Sequence, residues 1–170
     1  NSTSVSGIAN KNITNWFVNG SSMMLLNMPF EGTGSYNESS WTRDYSNRSN
    51  HGTVSGAIWT AIGGYDGMGA YQFDGSNDYI KSVQNSGLTG NPSFTISAWI
   101  YVPTGATIVG TYAPIVWWGS STTGNSTFFS LYNTSTNRIY VGFYNGGQRM
   151  TGTFTYDTWH HLAWVRNGGG

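Results

Sequence analysis

The chain carries only two glutamates, Glu31 and Glu38, and five aspartates, Asp44, Asp66, Asp74, Asp78 and Asp157. Glycosidic hydrolysis needs an acid and a partner carboxylate facing the same sugar. On a strand that means acids at i and i+2. No segment carries such a pair, and Asp74 and Asp78 are separated by a turn. His51, His160 and His161 could serve a serine triad, but no nucleophile-elbow motif accompanies them. His160 and His161 are adjacent on an expected strand and so point to opposite faces, which removes them as a joint metal grip. The sequence predicts no catalytic residue and no enzymatic activity.

Calcium binding is the better chemical candidate. Hard cations take oxygens from carboxylates, amides and carbonyls. Asp74, Asn77 and Asp78 share one turn that could supply them. The competing reading has Asp74 and Asn77 capping the turn through their own backbone, and it is the favoured one. Asp44 and Asn47 form a weaker candidate. No cofactor is required by any motif; calcium is the one candidate ion.

Aromatic side chains offer a third chemistry, stacking on the apolar faces of sugars. Trp117 and Trp118 are consecutive on an expected strand, so one should face the core and the other the opposite surface. Trp41, Trp59 and Tyr144 are further candidates for exposure. A sandwich of this size buries most of its aromatics, and that is the stronger expectation for any one of them. Alternation places Trp99 and Trp164 in the core or between sheets.

Composition sets the frame for these residues. Charged residues are 8%, aromatics 16%, and the formal net charge is zero. Low charge with abundant aromatics and β-branched residues excludes disorder. The absence of a basic stripe removes duplex nucleic acid as a partner. Cysteine is absent, which excludes disulfides, zinc thiolates and thiol catalysis. The longest apolar runs, Met23 to Leu26 and Ala113 to Trp118, are far too short to span a membrane. At 170 residues the length suits one domain with a proper core.

Sequons for N-glycosylation occur at Asn1, Asn12, Asn19, Asn37, Asn47, Asn125 and Asn133, somewhat more often than this Ser/Thr-rich composition gives by chance. Accidental sequons in Asn/Ser/Thr-rich loops are an equal reading. Most fall in expected turns, where a glycan could be solvated. They point to an extracellular or cell-surface location.

The elements that must position these residues are strands. Phe94, Ile96, Ala98, Ile100 and Val102 alternate with Thr95, Ser97, Trp99 and Tyr101, a period of two. Tyr71 and Phe73 precede the Asp74-Gly75-Ser76-Asn77 turn, and Tyr79 and Ile80 resume the apolar pattern, which reads as a hairpin. Further strands are expected at Gly52 to Ser55, Pro114 to Trp118, Thr127 to Tyr132, Arg138 to Tyr144 and Arg149 to Phe154. Near the start, Ile13, Trp16, Phe17 and Val18 form one apolar strand ended by Asn19-Gly20, and the run Met23 to Phe30 follows. No helical periodicity appears, so the expected class is all-β.

Taken in order, AYQFDGSNDYI, FTISAWIYVP and TWHHLAWV resemble the laminin-G-like jelly rolls of the concanavalin A-like lectin and glucanase group. MPFEGTG and DYSNRSNHGTVSGAIW are similar to that family's opening strand, its Asn/Gly-rich loop and its next strand. The resemblance covers Leu25 to Arg166 and implies a two-sheet antiparallel jelly-roll sandwich. Inward residues would include Phe73, Leu162 and Trp164. Many members bind calcium at the sandwich rim. The resemblance also implies closing C-terminal strands that the sequence to Gly170 does not supply. Residues 1–21 then read as an N-terminal strand, either the last strand of a preceding immunoglobulin-like module, an exchanged strand, or an extra edge strand, and residues 22–170 as the jelly roll. Ile13, Trp16, Phe17 and Val18 become candidates for an intermolecular contact through strand addition. The expected function is a non-enzymatic, glycosylated surface module, structural or adhesive, working through contacts with copies of itself or neighbouring domains. The alternative is a carbohydrate-binding module of a larger secreted protein.

Overall fold

The computed structural model describes residues 13–32, 38–83, 88, 92–108, 110–119, 126–132, 137–143 and 148–168. These residues form β-strands and loops without a helix, and every strand pairing among them is antiparallel. The chain divides into two compact units, Asn1–Ser86 and Gly87–Gly170.

The first unit holds β1 (Phe17–Val18), β2 (Ser21–Ser22), β3 (Trp41–Thr42), β4 (Gly52–Ser55), β5 (Ile58–Thr60), β6 (Ala70–Gln72) and β7 (Tyr79–Ser82). β1 and β2 form a hairpin, with Phe17 opposite Ser22 and Val18 opposite Ser21. Asn19 and Gly20 take positive φ at 49° and 78°, the two-residue turn that matches strand twist. The remaining strands order as β3-β4-β7 and β5-β6.

Three expectations for this unit are corrected. The Asp74 turn does not close a hairpin. β6 pairs with β5 and β7 with β4, so the chain enters and leaves the turn in different sheets. The connection from Phe73 to Asp78 is held by side-chain carboxylates and is too wide for a two-residue hairpin loop. Phe73 lies in this connection, beyond the inward positions of β6, and is 48% exposed. The run Met23 to Phe30 is not a strand. Its carbonyls at Met24 and Leu25 accept from the side chains of Arg48, Ser46 and Asn50 instead of from a ladder.

The second unit holds β8 (Phe94–Tyr101), β9 (Tyr112–Gly119), β10 (Ser126–Tyr132), β11 (Arg138–Phe143), β12 (Gln148–Thr153) and β13 (Trp159–Arg166). One sheet runs β12-β11-β10-β9 and the other pairs β13 with β8. Val102, Phe129, Leu131, Ile139, Val141 and Phe154 are buried between them, with Ile96, Ile100, Ile115, Val116, Leu162 and Trp164 packed around this cluster. Burying each large side chain contributes roughly 1.5–3 kcal/mol. The period of two in β8 holds throughout, Ile96, Ala98 and Ile100 inward and Thr95, Ser97 and Trp99 outward. That alternation corrects the expectation for Trp99. It shares parity with the outward residues, is 45% exposed, and lies beside His161 at 5.0 Å. Trp164 has the opposite parity and packs edge-on against Phe94 at 5.0 Å.

A candidate recognition surface on the outer sheet face

The outer face of β9, β10 and β11 is aromatic, and a bulge in β9 is what makes it so. Phe129 pairs with Val116 but the next residue, Ser130, pairs with Pro114, so Ile115 is an extra residue on β9. Pro114 has no N–H to give the ladder, which suits a site where pairing is already broken. The extra residue shifts parity. Ile115 and Val116 both turn inward, and Trp117 is sent outward at 56% exposure. Trp118 then turns inward and meets Phe94 edge-on at 5.1 Å.

Register places Tyr112 and Trp117 of β9, Phe128 and Tyr132 of β10, and Tyr140 of β11 on this outer face. Tyr112 lies 5.8 Å from Phe128, 5.2 Å from Tyr132 and 4.9 Å from Tyr140. Phe128 and Tyr140 are nearly parallel, 8° apart at 5.3 Å. Parallel rings lying side by side in one plane need centroids about 7 Å apart, so these two overlap face on face. The layer is therefore packed within itself. Ser130, between Pro114 and Tyr140 in register, is fully buried beneath it, and the hydroxyls of Ser130 and Ser126 have no hydrogen-bond partner among the described residues. The outward side of β8 and β13 carries a smaller aromatic group, with Tyr101 tilted against Trp159 at 5.6 Å and Trp99 against His161.

Sequence reading picked out Trp117 but missed Tyr112, Phe128, Tyr132 and Tyr140 as a group. The signal was present as alternating Phe128, Ser130 and Tyr132 beside an inward Phe129 and Leu131. Both faces of β10 are apolar, so the pattern alone could not separate a surface layer from core. Among the other sugar-stacking candidates, Trp118 faces inward and Trp41, at 36% exposure, stands edge-on to His51 in the first unit. Trp59 donates its indole N–H to the Phe30 carbonyl at 2.8 Å and covers Gly32 and Gly69. Tyr144 lies outside the described residues.

The Asp74 turn is organised by its own backbone. Asp74 Oδ1 accepts from Ser76 N at 2.8 Å, and Asp78 Oδ2 accepts from Asp74 N at 2.9 Å. Asp78 also lies against Gly56, where a Cβ would sit 1.8 Å from Oδ1. Asn77 is exposed. These contacts are those of a capped turn.

Asp44 is a fuller version of the same device. Oδ1 accepts from Asn27 N and Ser46 N, both at 2.9 Å. Oδ2 accepts from Ser46 Oγ at 2.6 Å and Asn50 N at 2.9 Å. A carboxylate has about four acceptor sites, and all are taken, leaving none for a cation. Burial pushes the Asp44 carboxyl up, but the Ser46 hydroxyl and the three N–H groups outweigh it and hold it below its ordinary value. His51 Nδ1 accepts from Asp44 N, which ties the loop to β4. Asn47 is exposed at the loop tip with φ 65°.

Both glutamates are buried, Glu31 at 7% and Glu38 at 4% exposure. Glu38 accepts from Thr42 Oγ1 at 2.9 Å, and its main-chain carbonyl accepts from the Tyr71 hydroxyl. Burial is the leading influence on Glu38 and raises its carboxyl above the usual glutamate value despite the bonds from the Thr42 hydroxyl and the Arg43 and Gly32 main chain; the Glu31 charge adds to the rise. Burial raises the Tyr71 phenol as well, with the Glu38 charge second. Among the described residues no three His, Asp or Glu side chains are grouped to hold a metal ion.

Of the sequons, Asn19 and Asn47 are exposed, Asn19 at the tip of the β1–β2 hairpin. Asn1, Asn12, Asn37, Asn125 and Asn133 lie outside the described residues. Ile13 is half-buried, whereas Trp16, Phe17 and Val18 are 65%, 50% and 53% exposed.

Two antiparallel sheets closed over an aliphatic and aromatic core define a β-sandwich of the jelly-roll class. A family model of the concanavalin A-like lectin/glucanases superfamily, of the laminin G type, matches residues 74–170. That is more than half of the chain, and the chain belongs to this family. No curated protein and no solved structure matches it.

Proposed function

We propose that the chain is a non-catalytic recognition module of an extracellular or cell-surface protein, and that its outer aromatic face makes protein contacts, including contacts with copies of itself. The observation that carries this reading is the packed layer of Tyr112, Phe128, Tyr132 and Tyr140 with Trp117 beside it. Tyrosine and tryptophan supply large contact area with few rotors and a polar handle, the composition of interface centres. The low charge density and zero net charge weaken like-charge repulsion between copies. Laminin-G-type domains are generally non-enzymatic, in keeping with this role. Sedimentation velocity over a concentration series tests it. Self-association should weaken at least several-fold in Tyr112→Ala with Trp117→Ala. A monomer at every concentration, with no partner lost on substitution, would remove the reading. Sugar released from a polysaccharide panel, and abolished by Glu31→Gln, would show an enzyme instead.

A second reading, carbohydrate binding, is favoured by one observation, the exposed indole of Trp117. A glycan array separates the two: signals that vanish in Trp117→Ala support the sugar reading. Glycosylation of the loops belongs to the proposal, at one or more of the sequons at Asn1, Asn12, Asn19, Asn37, Asn47, Asn125 and Asn133. Intact mass of the native protein before and after glycosidase checks it, and a bare-polypeptide mass would withdraw it.

A further inference from the structure

The first unit carries a second surface, outside the residues that match the family. The β1–β2 hairpin projects large apolar side chains. Register extended by the Met23 N to Trp16 O bond of 2.8 Å sets Trp16, Val18 and Met23 on one face and Phe17 on the other. Trp16 and Met23 are each 65% exposed, Val18 53%, Phe17 50%, and Leu26 just beyond is 47% exposed. Apolar side chains so concentrated at a surface mark a docking site.

The hairpin is not a loose tail. Asn15 Nδ2 donates to the Tyr45 carbonyl at 2.8 Å, and Asn27 Nδ2 donates to the Thr14 carbonyl at 2.9 Å. Ser22 Oγ donates to Asn15 Oδ1 at 2.9 Å. Its base is thus clamped to the loop ordered by Asp44. That loop carries two exposed arginines. Arg48 Nε donates to the Met24 carbonyl at 3.3 Å, beside the hairpin, and Arg43 lies over the Tyr45 ring at 4.9 Å. The acids of the same stretch, Glu31, Glu38 and Asp44, are all buried, and Asp44 is fully hydrogen-bonded. What the hairpin and its support present outward is an uncharged hairpin with apolar side chains on both faces, a polar Asn19-Gly20 turn at its end and cations at its base.

We propose that this hairpin docks the module on an anionic lipid surface. Trp16, Val18, Met23 and Phe17 enter the headgroup and upper acyl region, and Arg43 and Arg48 meet lipid phosphates. Tryptophan suits that boundary because its ring is apolar with one polar N–H. Apolar insertion and basic attraction together give reversible attachment without a membrane span. This docking is independent of the outer-face reading and uses different residues.

The test is flotation of the full chain, made without glycans, with vesicles of phosphatidylcholine alone or mixed with phosphatidylglycerol. Binding is expected to the mixed vesicles and to fall at high salt. Trp16→Ser with Phe17→Ser should lower the partition coefficient about tenfold or more, and Arg48→Gln several-fold. Ile62→Ser, another exposed apolar residue of the same unit, should bind as the parent does. Melting curves and circular dichroism confirm that the variants fold, and Met23→Ser supplies an independent tip variant. The proposal is overturned by a parent that floats with neither vesicle, or by tip variants that bind unchanged. It is also overturned if the double variant turns an oligomer into a monomer, which assigns the tip to a second copy. A glycan on Asn19 or Asn47 of the native protein would hold the hairpin or Arg48 off the bilayer and overturn it too.

Discussion

Trp117 and Trp118 are neighbours on β9 with opposite surroundings: Trp118 stands edge-on to Phe94 at 5.1 Å inside the sandwich, while Trp117 is 56% exposed on the outer face. Their variants should separate stability from recognition. Trp118→Ala should cost about 3 kcal/mol, the low end for a large aromatic because the ring is only partly buried. Trp117→Ala should change stability by no more than about 0.5 kcal/mol. Urea unfolding of the two variants measures both values. Equal losses would mean that the Ile115 bulge does not set the parity of the strand.

Asp44 should matter more than any other carboxylate of the chain. Asp44→Ala leaves the N–H groups of Asn27, Ser46 and Asn50 without their acceptor. The expected loss is about 3 kcal/mol, given roughly 1–3 for each buried donor left unpaired and some relief by water. Asp74→Ala, in an exposed turn, should lose about 1 kcal/mol or less. Thermal melts of the two variants decide the matter, and a reversal of this order would contradict the loop as described.

How much of this was legible in the sequence differs by residue. The face of β8 could be read because Phe94, Ile96, Ala98 and Ile100 bury one side only, and a period of two then has a single solution. The Asp74 turn could be read chemically but not topologically. Side-chain capping is a local matter, whereas the choice of β5 and β4 as partners for β6 and β7 is decided by tertiary packing. Alternation was the right signal for Trp99 but points the other way: the residue shares the parity of Thr95 and Ser97, the outward face of β8. The burial of Glu31 and Glu38 left no local trace, since their partners Gly69, Thr42 and Tyr71 come from distant or differently read segments. The parity change at Ile115 is likewise invisible before the pairing of β9 with β10 is known.

The Glu38 and Asp44 carboxyls should act on stability in opposite directions as pH falls. Glu38 is raised in the folded state, so its ionised form opposes folding at neutral pH. Acidification through its folded value removes that penalty, and the gain is complete below its unfolded value near 4.5. Asp44 is lowered, so its contribution is present above its unfolded value near 3.8 and is lost as pH falls through the lower folded value. Melting temperature should first rise on mild acidification and then drop. Glu38→Gln, which keeps an acceptor for Thr42, should flatten the rise, and Asp44→Asn should flatten the drop. Carboxyl carbon chemical shifts should show Glu38 titrating above, and Asp44 below, these ordinary values.

Gly56 and Asp78 provide the most direct check on the turn that opens the family-matched region. Gly56 has φ +79°, and a Cβ there would lie 1.8 Å from Asp78 Oδ1. Gly56→Ala therefore carries two separate costs. One is the left-handed backbone, about 1 kcal/mol for a residue with a Cβ, and it depends on no neighbour. The other is displacement of the Asp78 side chain, which also gives up its bond from Asp74 N at 2.9 Å, worth about another 1 kcal/mol. Asp78→Ala removes the obstructing oxygen and that bond together. In the double variant only the backbone cost of Gly56→Ala should remain. A cycle of the single and double variants, followed by urea unfolding, should thus show a coupling of about 1 kcal/mol. Strict additivity would mean that Asp78 does not rest on Gly56 in solution. In that event the Asp78 carboxylate would be free to turn outward beside Asp74 and Asn77, and a calcium titration of the same variants would become the informative measurement.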